Sequence, residues 1–171
     1  MNTQLKKTFD VIVIGGGSGG IACARECAKL GANVAIFDFV KPSPFGSKWG
    51  LGGTCVNVGC IPKKLMHYSS ILGSKMDHAR TLGWNINGND AVVHKWDKMV
   101  EAVQCHLKSL NFGYRVDLMK NKVTYLNSFA RFKDRKSIEY EENGVKKELM
   151  AEKIVLAVGG RPKFPKFLFI F

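Results

Sequence analysis

The residues best suited to chemistry lie in Gly52-Gly53-Thr54-Cys55-Val56-Asn57-Val58-Gly59-Cys60-Ile61-Pro62-Lys63-Lys64. Cys55 and Cys60 read as a redox-active dithiol. In a regular α-helix, residues five apart stand more than ~7 Å apart, beyond the Cα separation a disulfide spans. A Cys55–Cys60 bond therefore needs a distorted turn, and Gly59 and Pro62 permit one. Strain in such a bond makes it easier to reduce. Thr54 is predicted to cap a helix starting here, so that its dipole, with Lys63 and Lys64, favours thiolate over thiol. Two other readings stay open. A C-x4-C pair can ligate zinc, although no second pair stands at finger spacing and His67 is alone, and the two thiols can simply be buried side chains.

A second constellation precedes it. Gly15-Gly16-Gly17-Ser18-Gly19-Gly20 holds G-x-G-x-x-G at Gly15, Gly17 and Gly20. The first glycine allows a tight turn, the second lets a pyrophosphate approach the backbone, and the third lets helix and strand pack closely. The amides of the helix N-terminus would hold the phosphates. Asp38 is placed to accept hydrogen bonds from ribose hydroxyls. The motif is weak alone, but strand, glycines, helix, strand and acid occur here in order.

The elements that position these groups follow from the hydrophobic period. Phe9 to Ile14 is a continuous apolar, β-branched run, as expected of a strand covered on both faces. Ile21 to Leu30 reads as a helix stopped by Gly31, and Asn33 to Phe37 as the next strand. Lys41 to Ser47 is a loop by its prolines and glycine. A helix is predicted from Cys60 towards Met76, with Gly73 weakening its end. Gly83 to Gly88 reads as a loop with an extended piece at Trp84 to Ile86. A second long helix is predicted from His94 to Leu110, with a packing stripe of Met99, Val103 and Leu107 widened by Trp96 and Val100, and Phe112-Gly113-Tyr114 ends or bends it. Val123–Leu126, Ser128–Phe132, Ser137–Tyr140 and Lys146–Leu149 are predicted as an antiparallel meander, with Asn143-Gly144 as a hairpin turn. Lys153 to Val158 then resumes a buried parallel strand, ending at Gly159-Gly160-Arg161-Pro162.

Composition bounds the class. A chain of 171 residues, 46% apolar and 23% charged, is long enough for one domain with a core. The net charge of +12 raises the question of a nucleic-acid partner. Its basic groups are short, spread along the chain and without aromatic interleaving, so a solvated surface is expected and no nucleic acid. No apolar run reaches the ~18 residues of a membrane span. Met1 to Thr8 is too short and polar for a signal peptide, predicting a cytoplasmic protein, with processing of a longer mitochondrial precursor left open. Five cysteines form no extracellular framework. Cys23, Cys27 and Cys105 are expected as buried small side chains, and no metal is expected.

With the glycine turn, Asp38, the dithiol and Ala157-Val158-Gly159-Gly160-Arg161-Pro162 in hand, the chain resembles the FAD-dependent pyridine nucleotide–disulfide oxidoreductases. Within them, Asp38-Phe39-Val40-Lys41-Pro42 and Lys48-Trp49-Gly50-Leu51 resemble the large, animal-type thioredoxin reductases, whereas glutathione reductases share G-G-T-C-V-N-V-G-C but typically lack those pieces. The resemblance implies an α/β, Rossmann-like FAD-binding domain over residues 1–171, with a parallel sheet and an antiparallel β-meander, incomplete at its C-terminus. It implies that Gly15, Gly17, Ser18, Gly19 and Gly20 hold the FAD pyrophosphate and Asp38 its ribose. Thr54, Cys55, Gly59, Cys60 and Lys63 would line the flavin, Phe129 and Ala130 would lie near the adenine, and Phe39, Val158 and Gly159 would complete the cofactor site. Cys60 is then the charge-transfer thiol, Cys55 the interchange thiol, and Lys63 the cation near the flavin. NADPH would donate hydride, and electrons would pass through the flavin and the Cys55–Cys60 disulfide to thioredoxin.

The chain lacks a second dinucleotide fingerprint, and Phe167 to Phe171 is unlike the family's linker. The NADPH-binding and interface domains, with most of the family homodimer surface, are therefore expected to be absent. The alternatives carried forward are a truncated FAD-binding fragment without turnover, and glutathione as acceptor.

Overall fold

The computed structural model describes residues 7–39, 49–86, 93–161 and 163. The predicted loop from Lys41 to Ser47, Pro162 and the segment Phe167 to Phe171 lie outside the described residues. The chain divides into two compact units, residues 1–39 with 123–171, and residues 40–122.

The first unit is built on a six-stranded sheet. Strand β1 (Lys7–Ile14) leads into helix α1 (Ser18–Lys29) and strand β2 (Val34–Phe37), which lies parallel to β1 with Val11 opposite Val34 and Ile14 opposite Phe37. Every residue of β2 is buried, which is why this stretch reads as a continuous apolar run rather than an alternating one. Gly31 closes α1 at φ 93°, as its position predicts. The helix begins one turn earlier than the apolar pattern indicates, so Gly17 caps it and Gly20 lies inside it.

Strand β3 (Thr124–Leu126) corrects the predicted meander. It pairs parallel with β2, Tyr125 opposite Ile36, and so belongs to the Rossmann half of the sheet. The antiparallel part consists of β4 (Arg131–Phe132), β5 (Ser137–Glu142) and the first half of β6 (Val145–Leu156). The predicted strand Ser128–Phe132 is thus reduced to its last two residues. Asn143 and Gly144, both at positive φ, form the two-residue turn between Glu142 and Val145, as Asn-Gly predicts. The two strands expected at Lys146–Leu149 and Lys153–Val158 are one. Strand β6 runs unbroken through Glu148 and Glu152, pairing antiparallel with β5 and parallel with β1. The order is β3-β2-β1-β6-β5-β4. Its core is Phe9, Ile12, Ala35, Phe37, Ile138, Tyr140, Leu149 and Ala151, with Phe37 and Tyr140 packed edge to face at 5.2 Å.

The second unit is helical: α2 (Gly53–Val58), α3 (Cys60–Thr81) and α4 (Trp96–Lys120), with α3 and α2 both packing on α4. Both long helices outrun their predicted ends. Gly73 and Gly113 each cost a helix interior about 1 kcal/mol, which is too little to break a helix held by packing. Of the predicted α4 stripe, Val103 and Leu107 are buried, while Trp96, at 60% exposed, is not part of it. Trp84 to Ile86 forms no strand; Arg80 donates to the Ile86 carbonyl there. Cys23 and Cys27 are half-buried and Cys105 is exposed, so none is the buried filler expected of it.

Candidate active site

The carboxyl ends of β1, β2, β3 and β6 gather one set of predicted residues. The chain steps from β1 outward to β2 and β3, then returns on the other side of β1 with β6, so the order reverses between β1 and β6. That reversal is where open α/β sheets bind nucleotides. The Ala157 amide donates to the Ile14 carbonyl at 2.8 Å, drawing the end of β6 against the glycine turn. A Cβ on Gly15, at φ 118°, would lie 2.1 Å from the Ala157 oxygen, and one on Gly20 would lie 1.8 Å from the Gly15 oxygen. No side chain fits at either position. Ser18 and Gly19, in the first turn of α1, are exposed, and nothing lies within 4 Å of a Cβ on Gly19. Helix amides at that end are therefore open to an anion. Val158 and Gly159 follow directly, both exposed.

Asp38 stands at the tip of β2, and its Oδ1 accepts from the Gly16 amide at 3.1 Å. Burial pushes its carboxyl above the usual range, opposed by hydrogen bonds from the Gly16 and Phe39 amides and by the charge of Arg161. Phe39 and Phe129, both expected at a cofactor, meet edge to face at 5.6 Å, with the Arg131 guanidinium 5.3 Å from the Phe129 ring centre. They line a cavity of about 350 Å³ with Arg131, Tyr140 and Lys146, while Ala130 packs against the core beside it. A glycine cradle that excludes side chains, open helix amides, an acid at the strand tip and an aromatic hollow fit a dinucleotide such as FAD.

The second unit holds the dithiol. Cys55 lies in α2 and Cys60 opens α3, with Gly59 as the joint between the helices. A Cβ on Gly59 would lie 2.8 Å from the Thr54 oxygen and 3.1 Å from the Cys55 Cα, so only glycine lets the joint close on Cys55. Pro62 falls in the first turn of α3, where its missing N–H costs nothing. Cys55 and Cys60 are free thiols on either side of this joint. The neighbouring Cys60 thiol, first, and burial push the Cys55 thiol above its ordinary value. The Cys60 amide and Lys63 act the other way and are outweighed. The expected drive of Cys55 towards thiolate is thus corrected for this reduced pair. Thr54 does not cap α2: Gly52 does, without a side-chain bond, and Thr54 is exposed within the first turn. The helix whose N-terminus faces the pair is α3, of 22 residues.

The sequence reading missed a clamp around this joint. Asn57 Oδ1 accepts from the Gly50 amide, and its Nδ2 donates to the carbonyls of Gly50 and Gly53. Asn111 of α4 donates to the Leu51 carbonyl at 2.7 Å and to Asn57 Oδ1 at 3.1 Å. Both are asparagines inside helices, where the residue is a poor former, and that was the available signal. Elsewhere, Lys133, Lys136 and Lys147 pair with Glu148, Glu152 and Glu142. No helix among the described residues is long and apolar enough to cross a membrane.

The family model described as pyridine nucleotide-disulphide oxidoreductase matches residues 9–168. Over 158 residues, 92% of this chain, the sequence is 53% identical to thioredoxin reductase SEP1 of Emiliania huxleyi. Over 159 residues, also 92% of the chain, it is 51% identical to the mitochondrial thioredoxin reductase 2 of Drosophila melanogaster. The chain spans 31% of the length of each of these relatives.

Proposed function

Because this chain belongs to the pyridine nucleotide-disulphide oxidoreductase family, we propose that it supplies the FAD corner and the redox dithiol of an NADPH-dependent thioredoxin reductase. The observation that carries this reading is the Gly59 joint, which closes on Cys55 of α2 and opens α3 at Cys60 in a turn that only glycine allows. The names of two relatives at about half identity support thioredoxin over glutathione as acceptor.

When bound, FAD supplies the two-electron carrier between a nicotinamide hydride and the dithiol. Gly15, Gly17, Ser18, Gly19 and Gly20 would hold its pyrophosphate, and Asp38 would accept a hydrogen bond from a ribose hydroxyl. Phe39, Phe129 and Ala130 take the adenine side, with Val158 and Gly159 closing the cradle. Thr54, Gly59, Cys60 and Lys63 would line its flavin, where the Lys63 ammonium would balance negative charge.

Cys55 is the nucleophile towards substrate. Its thiolate attacks one sulfur of the acceptor disulfide, breaking that S–S bond and forming a mixed disulfide. Cys60, deprotonated, then attacks the Cys55 sulfur, closes the Cys55–Cys60 bond and releases the second acceptor thiolate. Two electrons leave the dithiol for each acceptor disulfide reduced, and the acceptor thiolates take up two protons. The chain covers 31% of the length of these relatives, and NADPH binding, the family homodimer and steady turnover are proposed for the length they have beyond it. A cytoplasmic or mitochondrial setting, both reducing, suits the chemistry.

The test uses thioredoxin whose resolving cysteine is replaced by serine. With its remaining cysteine activated as a thionitrobenzoate disulfide and mixed with the reduced chain, it is expected to release thionitrobenzoate and form a mixed disulfide through Cys55 that is resolved by Cys60 in the parent, persists in Cys60→Ser and is absent in Cys55→Ser. Trapping through Cys60, or none at all, overturns the assignment.

A further inference from the structure

We propose that Cys23 and Cys27 form a second dithiol site, which chelates trivalent arsenic bearing one organic substituent. The two residues lie four apart on the unbroken helix α1, so their side chains share a face. Both are free thiols, and both are half-buried rather than sealed in the core.

This pair differs in kind from Cys55 and Cys60. On a continuous helix the Cβ atoms of residues four apart stand about 5–6 Å apart, whereas a disulfide needs about 3.5–4.5 Å. Cys23 and Cys27 therefore cannot close a disulfide without unwinding α1. A bridging atom removes that difficulty. Two bonds to sulfur of ~2.3 Å at the roughly 100° angle of pyramidal arsenic(III) span ~3.5 Å, within reach of two thiols on successive turns of one helix face.

The coordination number selects the ligand. Structural zinc takes four protein ligands, and no group of three or more His, Cys, Asp or Glu residues comes together among the described residues. An organic arsenic(III) centre needs only two protein sulfurs, because it brings its third substituent. The reaction is a condensation: R–As(OH)2 and two thiols give two As–S bonds and two molecules of water. Arsenic stays trivalent, and no oxidant or reductant is consumed.

The test uses phenylarsine oxide on the full chain carrying Cys55→Ser and Cys60→Ser, so that the first dithiol cannot respond. Intact mass is expected to show one arsenical per chain, released by excess ethanedithiol. Iodoacetamide labelling of Cys23 and Cys27 is expected to be lost while Cys105 stays reactive, and Cys27→Ala added to this background is expected to abolish uptake. As a second measurement independent of those variants, the parent chain with Cys55 and Cys60 already closed as a disulfide is expected to take up one arsenical. No uptake in either protein, or uptake that survives Cys27→Ala, would overturn the proposal.

Discussion

Replacing Gly59 with alanine tests the joint on which the dithiol depends. The added Cβ would stand 2.8 Å from the Thr54 carbonyl oxygen and 3.1 Å from the Cys55 Cα. Ordinary C···O contacts lie at ~3.3–3.6 Å, so α2 and α3 must part by roughly half an ångström. Overpacking of this order costs about 1–3 kcal/mol. Part of the cost falls on both redox states and lowers Tm, by about 2–12 °C for a chain of this size. The oxidised state bears more, because it alone must draw the sulfurs to ~2.05 Å. At ~30 mV per 1.4 kcal/mol for a two-electron couple, the Cys55–Cys60 potential should rise by up to about 65 mV. The assay equilibrates the chain in glutathione buffers and reads the Cys55–Cys60 bond by mass spectrometry of acid-quenched peptides. A variant that lowers Tm but leaves the potential unmoved would refute the reasoning, since the joint would then support the fold without setting the sulfurs.

Four further outcomes are expected. Gly15→Ala combines a positive-φ penalty with a Cβ 2.1 Å from the Ala157 oxygen, so it should cost about 2–5 kcal/mol, read by chemical denaturation. Asp38→Asn keeps an acceptor for the Gly16 amide and removes a charge that burial disfavours. A raised carboxyl pKa means that the stability tied to Asp38 is present at low pH and lost as the group ionises, so at neutral pH the variant should melt no lower than the parent, while FAD binding weakens. Asn111→Ala leaves the Leu51 carbonyl and Asn57 Oδ1 short of a donor and should cost about 1–3 kcal/mol in the same denaturation assay. Cys60→Ala removes the first cause of the raised Cys55 thiol, so iodoacetamide should label Cys55 faster at neutral pH than in the reduced parent; an unchanged rate would contradict that cause.

The parts legible in the sequence are those whose physics is local. Phe9 to Ile14, the glycines, α1 and β2 follow one another within a single βαβ unit, and each signals itself by its period or backbone freedom. Asn143-Gly144 likewise declares its turn. What escaped depends on partners far along the chain. Nothing in Thr124 to Leu126 distinguishes a strand beside β2 from one in the meander, because the choice is made by pairing across α2, α3 and α4. Strand β6 looked like two strands because the charged pair Glu152-Lys153 separates Leu149-Met150-Ala151 from Ile154-Val155-Leu156, yet β5 on one side and β1 on the other carry the backbone through. At the site, the need for Gly59 was visible from the cysteine spacing. The helix acting on the pair was misassigned, because the break at Gly59 makes Cys60 the first residue of a new helix rather than the sixth of an old one. The Asn57–Asn111 clamp joins residues 54 apart and could not be read from either alone.

The proposed function requires electron transfer between FAD and the Cys55–Cys60 dithiol. The most direct measurement loads the chain with FAD, reduces the dithiol and records the visible spectrum beside that of Cys60→Ser. Bound flavin is expected in both proteins, and a long-wavelength thiolate-to-flavin absorbance in the parent alone. Identical spectra, or a chain that leaves FAD free, would contradict it.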